Sequence, residues 1–262
     1  MNQIVTINGK PIECEQEPYL RIGQPPKWRT PIEINGRMVH GVCINGYSYP
    51  PAGAESVLYM PGLPGQGTKI WDRSGGNHGT ISGAVWKRLP SGLWYLDFDN
   101  VDDYVYTGAS ATDISARNTF EVWATIEANP SAGSTYRNIL MKDGTYYRGL
   151  SWNINTKQIC FVADSGGVVD KSGVFAYTPA TTWIYIVGVW SGTRCSLYVN
   201  GVLKNTATVD DTWTDSGNSP YYFHQSGRAL LGKGTLACVR NVALDAITIL
   251  NRYNQLLQFF GV

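Results

Sequence analysis

Apolar and polar residues alternate with a period of two along most of the chain after residue 54, the pattern of strands that bury one face. In residues 118–129, NTFEVWATIEAN, Phe120, Val122, Ala124 and Ile126 fall on one face, which predicts a half-buried strand. Ser56–Met60 reads as a first strand, residues 139–164 as two or three strands, and residues 181–209 as a long hairpin. Asp143-Gly144 and Asn155-Thr156 supply turns between them. The sum is an all-β chain, an antiparallel sandwich.

The first fifty residues differ in texture. Ile-Asn-Gly occurs three times, at residues 7–9, 34–36 and 44–46, each time flanked by residues that suit strands. Asn-Gly favours two-residue hairpin loops because both positions of a type I′ turn need positive φ. A linker-like GQPPKW (Gly23–Trp28) and the pair Pro50 and Pro51 punctuate this part. The expected division is a small β-appendage at 1–52, a candidate docking segment, and a sandwich at 53–262. At the other end Leu256, Leu257, Phe259 and Phe260 are too apolar to dangle in water. They are expected to pack on their own sandwich or on a neighbouring subunit.

Composition narrows the function classes. A net charge of +1 over 262 residues offers no broad electrostatic attraction for nucleic acid or an anionic membrane. The start, MNQIVTINGK, lacks a basic segment followed by an apolar core, and no apolar run approaches the ~20 residues of a membrane span. Cys14, Cys43, Cys160, Cys195 and Cys238 are scattered singly without a Cys-x-x-Cys pair. They read as reduced, mostly buried thiols rather than metal ligands.

Residues 71–105 carry the most specific motif. Asp72, Ser74, Gly75, Asn77, His78, Gly79 and Thr80 form a D-x-S-G-x-x-N-H-G-T turn, and Phe98, Asp99, Asp102, Asp103, Tyr104 and Val105 complete an F-D-G-x-D-D-Y-V strand end. Asn100 replaces the glycine, a mild change because asparagine tolerates left-handed backbone angles. Trp183, Gly192, Tyr198, Val199, Asn200 and Gly201 mark a further hairpin, and Val239, Arg240 and Leu244 a closing strand with a short helix. Over residues 54 to about 253 the chain resembles laminin-G-like, concanavalin A-like jelly rolls. The resemblance implies a jelly-roll β-sandwich and leaves function open, because such sandwiches host lectins, adhesins, hydrolases and structural parts.

Catalytic motifs fare poorly. Retaining sandwich glycosidases need two carboxylates ~5 to 5.5 Å apart. Glu121 and Glu127 would stand ~20 Å apart on an unbroken strand, six rises of ~3.3 Å. No G-x-S-x-G elbow is present, and His40, His78 and His224 lack metalloprotease spacing. Gly227–Thr235 imitates a phosphate loop but puts Gly234 where Ser or Thr is needed.

Two binding features remain. Asp99, Asp102 and Asp103 are the candidate ligands for calcium, a hard cation that takes oxygen donors. The competing reading is that these side chains only bond the backbone of their own turn. Aromatic rings that could stack sugars lie in or beside predicted loops at Trp71, Trp94, Tyr146, Tyr147, Trp213, Tyr221 and Tyr222. The preferred contact surface is the segment 210–227, with Trp213, Tyr221, Tyr222 and His224 as ligand contacts. Trp123, Trp183 and Trp190 belong to the core by pattern.

The expected protein is therefore non-catalytic. The first reading is a structural subunit of a virion, such as a decoration, tail or fibre component. It would self-associate or dock on other structural subunits, and be made in the cytoplasm without a signal peptide. The alternative is a cell-surface or secreted module that binds glycans. Neither reading involves nucleic acid or membrane insertion.

Overall fold

The computed structural model describes six short strands before residue 55. From Glu55 onward it describes the chain except residues 62–66, 75, 109–113, 129–134, 144–146, 165–168, 171–172, 209–219, 225–227, 229 and 261–262. The early strands pair as three separate two-stranded hairpins: β1 (Thr6–Ile7) with β2 (Lys10–Pro11), β3 (Glu33–Ile34) with β4 (Arg37–Met38), and β5 (Val42–Ile44) with β6 (Tyr47–Tyr49). Ile7 pairs with Lys10, Ile34 with Arg37 and Ile44 with Tyr47, so an Asn-Gly dipeptide separates the strands each time.

The remaining strands build two antiparallel sheets. The first contains β7 (Ser56–Met60), β10 (Val85–Arg88), β11 (Trp94–Asp99), β13 (Arg117–Ile126), β19 (Ala180–Ser191), β20 (Arg194–Val199), β21 (Val202–Thr208) and β23 (Leu231–Arg240). Its order is β10-β11-β23-β13-β19-β20-β21, with β7 also on β23. The second contains β8 (Lys69–Ile70), β9 (Gly79–Ser82), β12 (Tyr104–Tyr106), β14 (Tyr136–Lys142), β15 (Arg148–Asn153), β16 (Gln158–Asp164), β17 (Val169–Asp170), β18 (Val174–Ala176) and β22 (Tyr221–Phe223). Its order is β17-β16-β15-β14-β22-β12-β9-β8, with β18 on β16. A single described helix, α1 (Ala246–Leu257), is capped by Asp245, whose carboxylate accepts from Thr248 N.

Between the sheets lies the main core, which includes Phe98, Phe120, Val122, Ala124, Leu150, Trp152, Phe161, Ile184, Ile186 and Val239. A second apolar cluster covers the outer face of the first sheet. There Trp123, Trp183, Tyr185, Val187, Leu236 and Cys238 meet Ile249 and Leu256 of α1 and Phe260 beyond it. The Phe260 ring stacks on Trp123 at 3.9 Å between centroids and tilts against Trp183 at 5.1 Å. The C-terminal tail is thus spent inside its own chain, the first of the two placements open to it, and is no longer a ground for docking to a neighbour.

This cover changes the reading of β13. Alternation predicted one wet face, yet every residue from Asn118 to Ile126 is buried, because α1 and the tail roof the face that carries Glu121 and Trp123. Trp123, Trp183 and Trp190 are all core residues, as their pattern predicted. Cys160, Cys195 and Cys238 are buried and form no disulfide among the described residues, and burial pushes the Cys160 thiol up to about 12 and that of Cys238 to about 11.

Candidate functional site

The turn motif is built around one buried carboxylate. Asp72 Oδ1 accepts from Tyr59 N at 2.8 Å, Ser74 N at 2.9 Å and the Ser74 hydroxyl at 2.7 Å, while Oδ2 accepts from Asn77 N at 3.0 Å. Asn77 Nδ2 in turn donates to Val57 O at 2.9 Å, tying the turn to β7. Asp72 N donates to His78 Nδ1 at 3.2 Å, and burial holds the His78 imidazole below its usual value. Gly79 is required by crowding: a Cβ there would come within 2.5 Å of Val105 Cγ1. Asp, Ser, Asn, His and Gly of the motif all serve the fold.

The second half of the motif closes the β11–β12 turn. Asn100 adopts φ +68°, the left-handed angle that asparagine tolerates in place of glycine. Asp103 is buried, with Oδ2 accepting from Asp99 N at 2.8 Å, and Asp99 Oδ1 accepts from Val101 N at 2.8 Å. Burial, with Asp99 and Asp102 beside it, holds the Asp103 carboxyl above its usual range. The carboxylates of Asp99, Asp102 and Asp103 do come together, each offering an oxygen within 4.8 Å of the others. They could hold a hard cation, but two of the three already give an oxygen to the backbone of their own turn. That bonding accounts for Asp99 and Asp103 without an ion.

The proposed ligand contacts fare differently. Tyr221 and Phe223 of β22 face the main core, because β22 is an interior strand between β14 and β12. Tyr221 is 1% exposed and His224, stacked on Phe98 at 3.8 Å, is fully buried, so a surface ligand reaches neither. Burial also pushes the His224 imidazole down to about 3. Trp213, with most of segment 210–227, lies outside the described residues, as does Tyr146. Of the other aromatics, Trp71, Trp94 and Tyr147 are half-buried on separate parts of the surface, near Lys69, Arg88 and Arg228 respectively.

Tyr222 keeps its interest through register. Its backbone stands opposite Tyr106, which stands opposite Thr80, which stands opposite Lys69. In the next rung Tyr104 faces Ser82. Ile70, Ile81 and Val105 turn inward to the core, so their neighbours Lys69, Thr80, Ser82, Tyr104 and Tyr106 share the outer face of the second sheet. Trp71 joins this strip at its edge, with Lys69 Nζ 5.5 Å from its ring centroid and His78 edge-on at 4.6 Å. The acidic turn adjoins the same strip through Asp103 and Tyr104. Two half-buried phenols, two hydroxyls, an indole and an ammonium thus line adjacent strands spaced ~4.8 Å apart. The Tyr-Val-Tyr alternation of β12 is the sequence signal for this face.

The carboxylates weighed for hydrolysis are engaged elsewhere. Glu121 is buried beneath α1, paired with Arg240 Nε at 2.5 Å and Arg252 Nε at 2.8 Å, and it accepts from the Tyr185 hydroxyl. Burial raises its carboxyl, yet the two guanidiniums outweigh that and hold it at about 2. Glu127 pairs with Lys233, the lysine of the false phosphate loop, which is part of strand β23. Among the described residues no helix is long and apolar enough to cross a membrane.

No curated protein matches the chain in sequence. Among solved structures, the chain is similar to the binding domain of botulinum neurotoxin serotype D, at a TM-score of 0.59 and 13% identity over 76% of this chain and 51% of that one. The receptor binding domain of botulinum neurotoxin type G gives 0.58 and 16%, over 79% and 54%. Trypanosoma rangeli sialidase gives 0.58 and 18%, over 80% and 35%. The chain thus spans about half the length of the toxin domains it matches. These likenesses speak for the fold. The family model described as the concanavalin A-like lectin/glucanases superfamily matches residues 99–252, which take in the acidic turn, most of the sandwich core and most of α1, and the chain belongs to that family.

Proposed function

We propose that this protein is a non-catalytic carbohydrate-binding module whose contact surface is the outer face of β8, β9 and β12. The observation that carries the reading is the strip of Tyr104, Tyr106, Thr80, Ser82 and Lys69, with Trp71 at its edge. Aromatic faces pack on the C–H side of a pyranose, while hydroxyls and an ammonium bind its oxygens. A structural neighbour, the binding domain of botulinum neurotoxin DC, was solved in complex with SialylT, which supports a sugar as the ligand class. A glycan array with the full-length chain, followed by calorimetry on the best binder, tests the reading. Tyr106→Ala and Trp71→Ala should each weaken binding at least tenfold with the melting temperature nearly unchanged. Binding that survives both substitutions would place the sugar elsewhere.

A second reading, a subunit of a virion or another extracellular assembly that displays the sandwich, rests on the hairpin segment before residue 55. A mass that rises with concentration in solution would support it.

A further inference from the structure

His78 stands on the binding strip as well as in the turn. Continuing the register of β8 and β9 one step past Ile70 and Gly79 brings Trp71 opposite His78. Alternation then puts Lys69, Trp71, His78, Thr80 and Ser82 on the same outer face, where the indole and the imidazole meet at 4.6 Å with their planes 78° apart. Both rings are half-buried, within reach of solvent.

A hydrogen bond fixes the imidazole. Its Nδ1 accepts from Asp72 N at 3.2 Å, which leaves the proton of the neutral ring on Nε2. A proton added at Nδ1 sets two donors head to head, and one of them has to move. The amide cannot, because the Asp72 carboxylate is held by Tyr59 N, Ser74 N, the Ser74 hydroxyl and Asn77 N. Nor is there room for the backbone after the ring to shift, since a Cβ on Gly79 would already come within 2.5 Å of Val105 Cγ1 and 2.7 Å of Ile70 Cγ2. The imidazole therefore turns about its own side-chain bonds. The indole that abuts it loses its support.

The surroundings set the direction of this change. Burial disfavours the imidazolium most, Lys69 of β8 and Arg73 of the turn disfavour it further, and Asp72 favours it. The net effect keeps the ring neutral at pH 7 and holds its protonation below the ordinary 6.5. Lys69 Nζ also lies 5.5 Å from the Trp71 ring centroid, so an imidazolium would be a second cation beside the same indole. We infer that His78 is a positioning residue for Trp71, and that its protonation releases the indole from the edge of the strip. On the carbohydrate reading, on which this consequence rests, the module holds its sugar at neutral pH and releases it as the medium turns acidic.

NMR on the isotope-labelled full-length chain tests the switch without any ligand, with the Trp71 signals assigned by their loss in Trp71→Phe. Between pH 7.5 and pH 5 the His78 ring signals should titrate, and cross-relaxation between the Trp71 indole and the Lys69 side chain should fade with the same midpoint. His78→Asn keeps an acceptor facing Asp72 N but takes up no proton, so its indole contact should persist across the range. A contact that outlasts protonation of His78, an imidazole still neutral at pH 5, or the same fading in His78→Asn would overturn the inference. A glycan array read at both pH values separates the switch from the binding role. Glycans bound by wild type at pH 7.5 should bind about tenfold more weakly at pH 5, the worth of one lost aromatic stack, and His78→Asn should remove that dependence. Equal binding at both pH values would overturn the link between His78 and the site. An array without signal at pH 7.5 would defeat the carbohydrate reading instead, and the NMR result would still decide whether His78 holds Trp71.

Discussion

Glu121→Gln removes the carboxylate between Arg240 and Arg252 while nearly preserving the side chain's shape. Both guanidiniums then remain against the sheet under α1 without the charge that Glu121 supplied. Breaking a buried ion pair from one side costs about 3–5 kcal/mol, because an uncompensated charge is left behind. For a chain of this size each kcal/mol lowers the melting temperature by about 2–4 °C, so a fall of about 6–20 °C is expected. The pH dependence checks the same physics. Glu121 ionises at about 2 in the folded chain against an ordinary 4.5. A depressed carboxyl contributes stability above its unfolded value and loses it as pH falls through the folded one. The shift corresponds to about 3 kcal/mol. Urea unfolding of wild type and variant at pH 7, then stepwise down to pH 3, reads both quantities. The gap between the two proteins should be full at neutral pH and narrow below about pH 4.5. A variant within 1 kcal/mol of wild type at pH 7, or a gap that ignores pH, would refute the clamp.

Phe260→Ala should cost about 3–5 kcal/mol by calorimetry, because it empties the stack on Trp123; a loss below 1 kcal/mol would mean the tail does not roof the sheet. Asp72→Ala leaves the amides of Tyr59, Ser74 and Asn77 without their acceptor, each worth about 1–3 kcal/mol, so urea unfolding should show a loss above about 3 kcal/mol. Calcium or chelator should leave the melting temperature unchanged, whereas Asp103→Ala should destabilise by about 1–3 kcal/mol in either condition; a chelator-sensitive melt would instead assign a cation to the acidic turn.

How much of this was legible in the chain follows from the range of each interaction. The Asn-Gly hairpins, the left-handed Asn100, the buried tryptophans and the closing strand with its helix could all be read, because turn chemistry and strand alternation are written within a few neighbouring residues. The Asp72 turn could be recognised as a motif, though its meaning, one carboxylate holding amides as far apart as Tyr59 and Asn77, needed coordinates. The candidate binding face was not legible. Lys69, Thr80 and Tyr106 become neighbours through strand register, and Tyr221 and His224 looked like loop residues until β22 was seen inside the sheet. The same holds for Glu121, which alternation placed in water. Its true surroundings come from Arg240 and Arg252, more than a hundred residues away, and from a helix whose apolar face settles on that sheet. Local sequence determined which segments are strands and turns and which face of each is apolar. Tertiary packing decided which polar faces stay wet, because that depends on what the rest of the chain lays over them.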